Sequence, residues 1–117
     1  MSKFLKLHNI SKTFETSKKL KVIKNLSYNF KKGKIYSLMG PSGSGKSTLL
    51  NIISLIDKPS NGLIKFNKHQ INYDEKEQND KLRAKKIGIV YQQNNLLSDF
   101  TSLENIYLAS LSINNNN

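Results

Sequence analysis

Cysteine is absent from this 117-residue chain, arginine occurs once, at Arg83, and only eight acidic side chains face 19 basic ones. Without cysteine there is neither a disulfide framework nor a thiolate metal site. No apolar run approaches the roughly 20 residues needed to cross a bilayer, and residues 1–12 hold no hydrophobic core of a secretory signal. A soluble cytoplasmic protein is therefore expected. The net charge of +11 invites a nucleic-acid reading, but a single arginine leaves almost no bidentate reader of phosphate or guanine. The lysines are scattered from Lys3 to Lys86, many alternating with apolar residues as solvated faces do. Nucleic acid is not the expected partner. A weak attraction to anionic lipid beside a membrane partner is compatible with the charge.

What is present is concentrated in residues 40–50, GPSGSGKSTLL. Gly40, Gly45, Lys46 and Ser47 occupy the fixed places of the G-x-x-x-x-G-K-[ST] phosphate-binding loop, or Walker A motif. Glycines there let backbone N–H groups turn inward without a clashing β-carbon. The helix that follows adds its free N–H groups and the positive end of its dipole. Pro41, Ser42, Gly43, Ser44 and Thr48 complete the expected cradle. Lys46 is expected to reach the terminal phosphates, and the Ser47 hydroxyl to bind Mg²⁺. The motif counts only between a strand and a helix. The apolar run 34–39 predicts a buried strand before it, and Leu49, Leu50, Ile52, Ile53, Leu55 and Ile56 recur at helical spacing after it, up to Pro59.

Upstream, residues 3–14 carry enough alternation for a strand, residues 15–19 read as a turn, and residues 20–30 alternate again at Val22, Leu26, Tyr28 and Phe30. An antiparallel pair ahead of the loop is predicted. Downstream, residues 60–62 read as a turn, 63–66 and 87–91 as strands, and 74–85 as charged and helix-tolerant. Residues 102–111 predict a helix capped by Thr101 or Ser102, with Glu104 in its first turn. The four asparagines that end the sequence can bury nothing.

Other phosphate-loop classes fit poorly. The nearest approach to a guanine-reading Asn-Lys-x-Asp run is Asn67-Lys68-His69-Gln70, and an amide cannot replace the carboxylate's two acceptors. A small-molecule kinase would need acceptor and lid arginines, and only Arg83 is available.

The whole chain resembles the ATP-binding subunit of ATP-binding cassette (ABC) transporters. About forty residues of antiparallel sheet precede the loop, as in that family. Residues 57–64, DKPSNGLI, are similar to its D-x-P-(T/S)-x-G-x-(I/V) turn and strand, and residues 87–92 to its strand into the Q-loop. Residues 92–106 resemble the lipoprotein-releasing and macrolide-export subfamilies, which share an LL-x-x-(F/L)-T-x-x-E-N run; Asp99-Phe100 leans towards lipoprotein release.

That resemblance implies an α/β P-loop NTPase fold of ABC type with an N-terminal antiparallel β-subdomain. Residues 1–92 would form the N-terminal part of the ATP-binding core, and residues 93–117 the Q-loop and the start of the helical subdomain. It places an adenine-stacking aromatic at Phe14, a second adenine contact at Val22, and a ligand for Mg²⁺ and the attacking water at Gln92. Alone, Phe14 reads as core and Gln92 as a solvated strand end. The implied function is ATP binding and hydrolysis that drives export or lipoprotein release. The implied partners are a transmembrane permease subunit and a second ATP-binding subunit, on the cytoplasmic face of the inner membrane.

Four features of the family are not found in these 117 residues: an LSGGQ-type signature, a Walker B strand ending in Asp-Glu, a D-loop and a switch histidine. His8 and His69 stand in the wrong parts of the chain for the last of these. The expectation is a chain truncated before the signature helix and Walker B strand, with Lys46 and Gln92 its only catalytic groups. Weak or no ATPase activity of its own follows. A non-hydrolysing nucleotide-binding fragment is the alternative. With the neighbouring strands missing, the run before the loop is expected to show a hydrophobic edge.

Overall fold

A computed structural model describes residues 3–114; the asparagines at 115–117 lie outside the described residues. The chain divides into two compact units, Met1–Asp74 and Glu75–Asn117.

In the first unit the alternating runs become a long hairpin, β1 (Lys3–Glu15) and β2 (Lys19–Lys31). It is antiparallel, with Leu7 opposite Tyr28 and Phe14 opposite Leu20. Two bulged asparagines, Asn9 and Asn25, sit at positive φ near its middle. Each is held by a serine across the ladder: Asn9 N–H donates to Ser27 Oγ and Asn25 N–H to Ser11 Oγ, both at 2.9 Å. On its other edge β1 pairs with β3 (Asn61–Phe66), Leu7 standing opposite Ile64. Gly62 opens that strand at φ 96°, where a β-carbon would collide with the backbone of His8 and Asn9. Asn61 and Gly62, read from sequence as a turn, are therefore the first residues of the strand.

The four-stranded sheet runs β2-β1-β3-β4, closed by the two-residue β4 (His69–Gln70). Asn67 and Lys68, both at positive φ, form the two-residue turn between β3 and β4, the primed geometry that matches strand twist.

Helix α1 (Lys46–Ile53) follows the glycine loop and buries Leu49 and Ile52. These join Leu5, Leu7, Ile10, Ile23, Ile64 and Phe66 of the sheet in the core. The apolar spacing predicts helix as far as Ile56, but α1 stops at Ile53. Leu55 turns left-handed at φ 62°, its N–H bonds Ile52 C=O, and Ile56 N–H reaches Asn51 C=O. This is a Schellman ending with leucine in the place usually taken by glycine. Burial of Leu55 offsets the left-handed strain.

The predicted strand at 34–39 does not form. Ile35 is fully exposed and Met39 88% exposed, because among the described residues no strand pairs with this segment and an unpaired ladder has nothing to hold it extended. The same holds for residues 87–91 in the second unit, where Val90 is fully exposed.

The second unit contains α2 (Lys76–Lys86) and α3 (Ser102–Asn114). Ion pairs Glu77–Lys81 at 2.8 Å and Asp80–Arg83 at 2.6 Å run along α2. Arg83, Lys85 and Lys86 complement the negative end of its dipole. Thr101 caps α3 in a reciprocal box: its N–H donates to Glu104 Oε2 at 2.7 Å, and Glu104 N–H donates to Thr101 Oγ1 at 3.2 Å.

Candidate phosphate-binding site

Gly40, Pro41, Ser42, Gly43, Ser44 and Gly45 form a tight loop from the exposed 34–39 run into α1. Ser44 N–H donates to Pro41 C=O at 3.2 Å, closing a turn. Gly43 stands at φ 79° and Gly45 at φ 96°, conformations that strain any residue with a β-carbon. At Gly40 a β-carbon would lie 2.7 Å from Ser44 Oγ, a hydroxyl that can turn aside. Backbone conformation thus accounts for Gly43 and Gly45.

Gly45 is the N-cap of α1 and offers no side chain to it. The first intrahelical bond runs from Leu49 N–H to Gly45 C=O at 2.9 Å. The N–H groups of Lys46, Ser47 and Thr48 therefore lack intrahelical acceptors and add their partial positive charge at the loop. Lys46 folds back across the loop, its ammonium donating to Gly40 C=O and, at 2.7 Å, to Pro41 C=O, with Ser44 Oγ at 3.4 Å. A cation, three N–H donors without intrahelical acceptors and two left-handed glycines meet in one short loop. Its chemistry is that of a polyanion site.

Ser47 is exposed on the first turn of α1. Among the described residues no three His, Cys, Asp or Glu side chains gather into a metal site. A lone hydroxyl suits a hard cation that takes most of its octahedral shell from water and phosphate oxygens, as Mg²⁺ does. The donor set fits such an ion only together with a phosphate ligand.

The hairpin meets the loop at Val22. Its Cγ1 lies 2.8 Å, and its carbonyl 3.3 Å, from where a β-carbon on Gly45 would stand, with Ile23 Cγ1 at 3.6 Å. The structure thus brings Val22 to the phosphate loop, and places Ile23, which the sequence reading passed over, beside it. Phe14, across the ladder from Leu20, is 37% exposed and available for stacking. Beneath it Lys12 Nζ lies 5.2 Å from the ring centroid. Alternation alone gives no reason to single out Lys12.

Gln92 belongs to the second unit and lies exposed in the irregular stretch after 87–91. The polar side chain that organises this stretch is Asn105. Its Nδ2 donates to the carbonyls of Leu97 and Phe100 at 3.2 Å and of Thr101 at 2.9 Å, while its Oδ1 accepts from Leu97 N–H at 2.9 Å. Glu-Asn in the sequence reads as a subfamily match; the structure supplies a mechanical reason for the asparagine.

The family profile for ABC transporters matches residues 23–117. The chain is 43% identical over 105 residues to an uncharacterised ABC transporter ATP-binding protein, MJ0796, of Methanocaldococcus jannaschii, covering 89% of this chain and 45% of that one. It is 39% identical over 119 residues to the lipoprotein-releasing system ATP-binding protein LolD of Rickettsia bellii, covering 99% of this chain and 50% of that one. The fold superposes on the dimeric structure of MJ0796 in a post-hydrolysis state bound to ADP and Pi with a TM-score of 0.86 at 41% identity, covering 93% of this chain and 47% of the other. The chain spans about half the length of the curated relatives it matches. Among the described residues no helix is long and apolar enough to cross a membrane. With a phosphate loop seated between an antiparallel hairpin and its helix, and a family profile over most of its length, the chain belongs to the ABC transporter family.

Proposed function

We propose that the chain is the nucleotide-binding part of an ABC transporter's ATP-binding subunit, which couples ATP binding and hydrolysis to export or lipoprotein release at the inner membrane. The observation that carries this reading is the Lys46 ammonium held across a loop in which Gly43 and Gly45 are left-handed, and from which a helix begins whose first three N–H groups lack intrahelical acceptors. In this reading Gly40, Pro41, Ser42, Gly43, Ser44, Gly45, Lys46, Ser47 and Thr48 hold the triphosphate, Lys46 exchanging its loop carbonyls for phosphate oxygens. Phe14 stacks on adenine and Val22 lines it.

Ser47 of the first unit and Gln92 of the second would each offer an oxygen to Mg²⁺, which would neutralise charge on the phosphates. Residues 1–92 then serve as the core around the nucleotide, and residues 93–117 as the Q-loop and the beginning of a helical arm that meets a permease subunit. Dimeric MJ0796 supports a second ATP-binding subunit as partner, and the likeness to ATP-binding proteins of lipoprotein-releasing systems supports lipoprotein release as the process served. A place on the cytoplasmic face of the inner membrane is part of the same proposal.

These 117 residues hold no Asp-Glu Walker B end to orient a water, so the chain alone is proposed to bind ATP with little or no turnover. Titrating it with ATP and Mg²⁺, beside Lys46→Ala, tests the site. Removing the cation lowers affinity by at least about tenfold, the scale of one charge-assisted contact. Equal affinity in the two proteins would sink the reading. Turnover by the pure chain, abolished in Lys46→Ala, would overturn only its inactivity.

A further inference from the structure

Lys12 is an anomaly in a chain whose basic side chains mostly face water: its side chain is only 12% exposed. Burying an ammonium is unfavourable unless it is paired and its donors are used. Here the donors are used. Nζ pairs with Asp57 Oδ2 at 2.7 Å, donates to Lys58 C=O at 2.8 Å, and lies 5.2 Å from the centroid of the Phe14 ring. Asp57 is fixed in turn, accepting Lys58 N–H on Oδ1 at 2.8 Å and donating its own N–H to Asn51 C=O of α1 at 3.1 Å. A second tie lies alongside, where Ser60 Oγ accepts Thr13 N–H at 3.0 Å and Ser60 N–H donates to Ser11 C=O at 2.8 Å.

Residues 57–60, which leave α1, are therefore strapped to residues 11–14, which carry Phe14. The other end of α1 is the phosphate loop. One short helix thus spans the distance between the phosphate cradle and the aromatic ring, and the covalent length of a nucleotide requires that distance to be fixed. Phe14 lies one residue from the end of β1 and is 37% exposed, so the Lys12 ammonium is placed to steady a ring at the strand's margin. A platform ordered before binding loses less entropy when a base stacks on it.

We propose that Lys12 is a positioning residue, which uses Asp57 and the ring face to hold Phe14 at a set distance from the phosphate loop, so that the site prefers a nucleoside triphosphate over a bare polyphosphate. This rests on the proposed role of Phe14 as the base platform.

The test compares ATP with inorganic tripolyphosphate, which has the phosphates and no base, on the full 117-residue chain with Mg²⁺. Lys12→Met weakens ATP binding about three- to tenfold and leaves tripolyphosphate unchanged, and Lys12→Arg, which keeps the cation, restores most of the loss. In a Phe14→Ala background Lys12→Met has no further effect. Equal weakening of both ligands means a merely structural ion pair and overturns the inference, as does an unchanged ATP affinity. If Phe14→Ala leaves the ratio of the two affinities unaltered, the platform reading fails and the inference falls with it. If Phe14→Ala shifts the ratio and Lys12→Met does not, the inference alone fails. Should Lys12→Met not fold by circular dichroism, Asp57→Asn keeps the shape, releases the ammonium, and gives the same selective loss of ATP or overturns the inference.

Discussion

The γ-methyl Cγ1 of Val22 lies 2.8 Å from the point where a β-carbon on Gly45 would sit, so the hairpin leans on the last glycine of the loop. Gly45 is held by two demands at once, since its φ of 96° is itself one that side chains avoid.

Gly45→Ala separates those demands. The left-handed conformation costs an alanine about 1–2 kcal/mol, and the clash pushes the loop from the hairpin or flattens its N–H donors. The expected outcome is at least about a tenfold loss of nucleotide affinity, by the equivalence of 1.4 kcal/mol to a factor of ten. Adding Val22→Ala relieves the clash but not the dihedral strain, so equilibrium titration shows partial recovery at most. Full recovery would mean that crowding alone fixes this glycine.

In the second unit, Asn105→Ala removes four hydrogen bonds from residues 97–101. The capping box of Thr101 and Glu104 remains, so α3 persists while the preceding loop opens. Leu97 N–H loses its acceptor, and its hydrogen exchange is expected to accelerate by roughly 5- to 150-fold, corresponding to about 1–3 kcal/mol of local stability. An unchanged rate at Leu97 would show that the loop is held by something else.

Those two sites differ in how far they can be read without coordinates. The β1–β2 hairpin announces itself through alternation at Val22, Leu26, Tyr28 and Phe30, and the phosphate loop through residue types whose roles are local. Residues 34–39 and 87–91 look like strands for the same reason, yet a strand exists only with a partner, and periodicity within a segment says nothing of whether one is there. Apolar spacing overruns the end of α1 because Leu55 continues the pattern while its backbone turns left-handed. The β3–β4 turn carries no sequence signal because Lys68 stands at a positive φ where a glycine would mark it. Lys12 looks like any solvated lysine; only the meeting of β1 with residues 57–60, far apart in sequence, makes it a buried partner of Asp57.

The cap of α3 gives an acid-side prediction. Hydrogen bonds from the backbone N–H and the side chain of Thr101 hold the Glu104 carboxyl below its ordinary value of 4.5. Its contribution is present above that value and is lost as the pH falls through the lowered one in the folded chain. Helicity of α3 therefore declines on the acid side of the usual carboxylate range, and Glu104→Gln, which does not titrate, removes that part of the decline. Circular dichroism between pH 6 and about 2 follows it. Superimposable curves for the two proteins would remove the cap from the explanation.

Tyr73 gives the complementary alkaline prediction. Its hydroxyl is buried and has no hydrogen-bond partner among the described residues. Burial, and secondarily the negative charge of Asp57, push the phenol up from 10.0 to about 12. The folded chain keeps its proton where the unfolded chain has lost it, so this stability is whole below pH 10 and drains away as the pH climbs towards 12. The loss amounts to about 1–2 kcal/mol, since a half-buried phenol is partly screened by water. Tyr73→Phe removes an unpaired hydroxyl, so at pH 8 it should stabilise the first unit by about 1 kcal/mol. It should also flatten the profile between pH 10 and 12 relative to the parent. Urea midpoints at pH 8, 10 and 11 decide the matter. A lower midpoint for Tyr73→Phe at pH 8 would mean that the hydroxyl is satisfied in solution, and parallel profiles above pH 10 would mean that the phenol titrates no differently in the folded and unfolded chains.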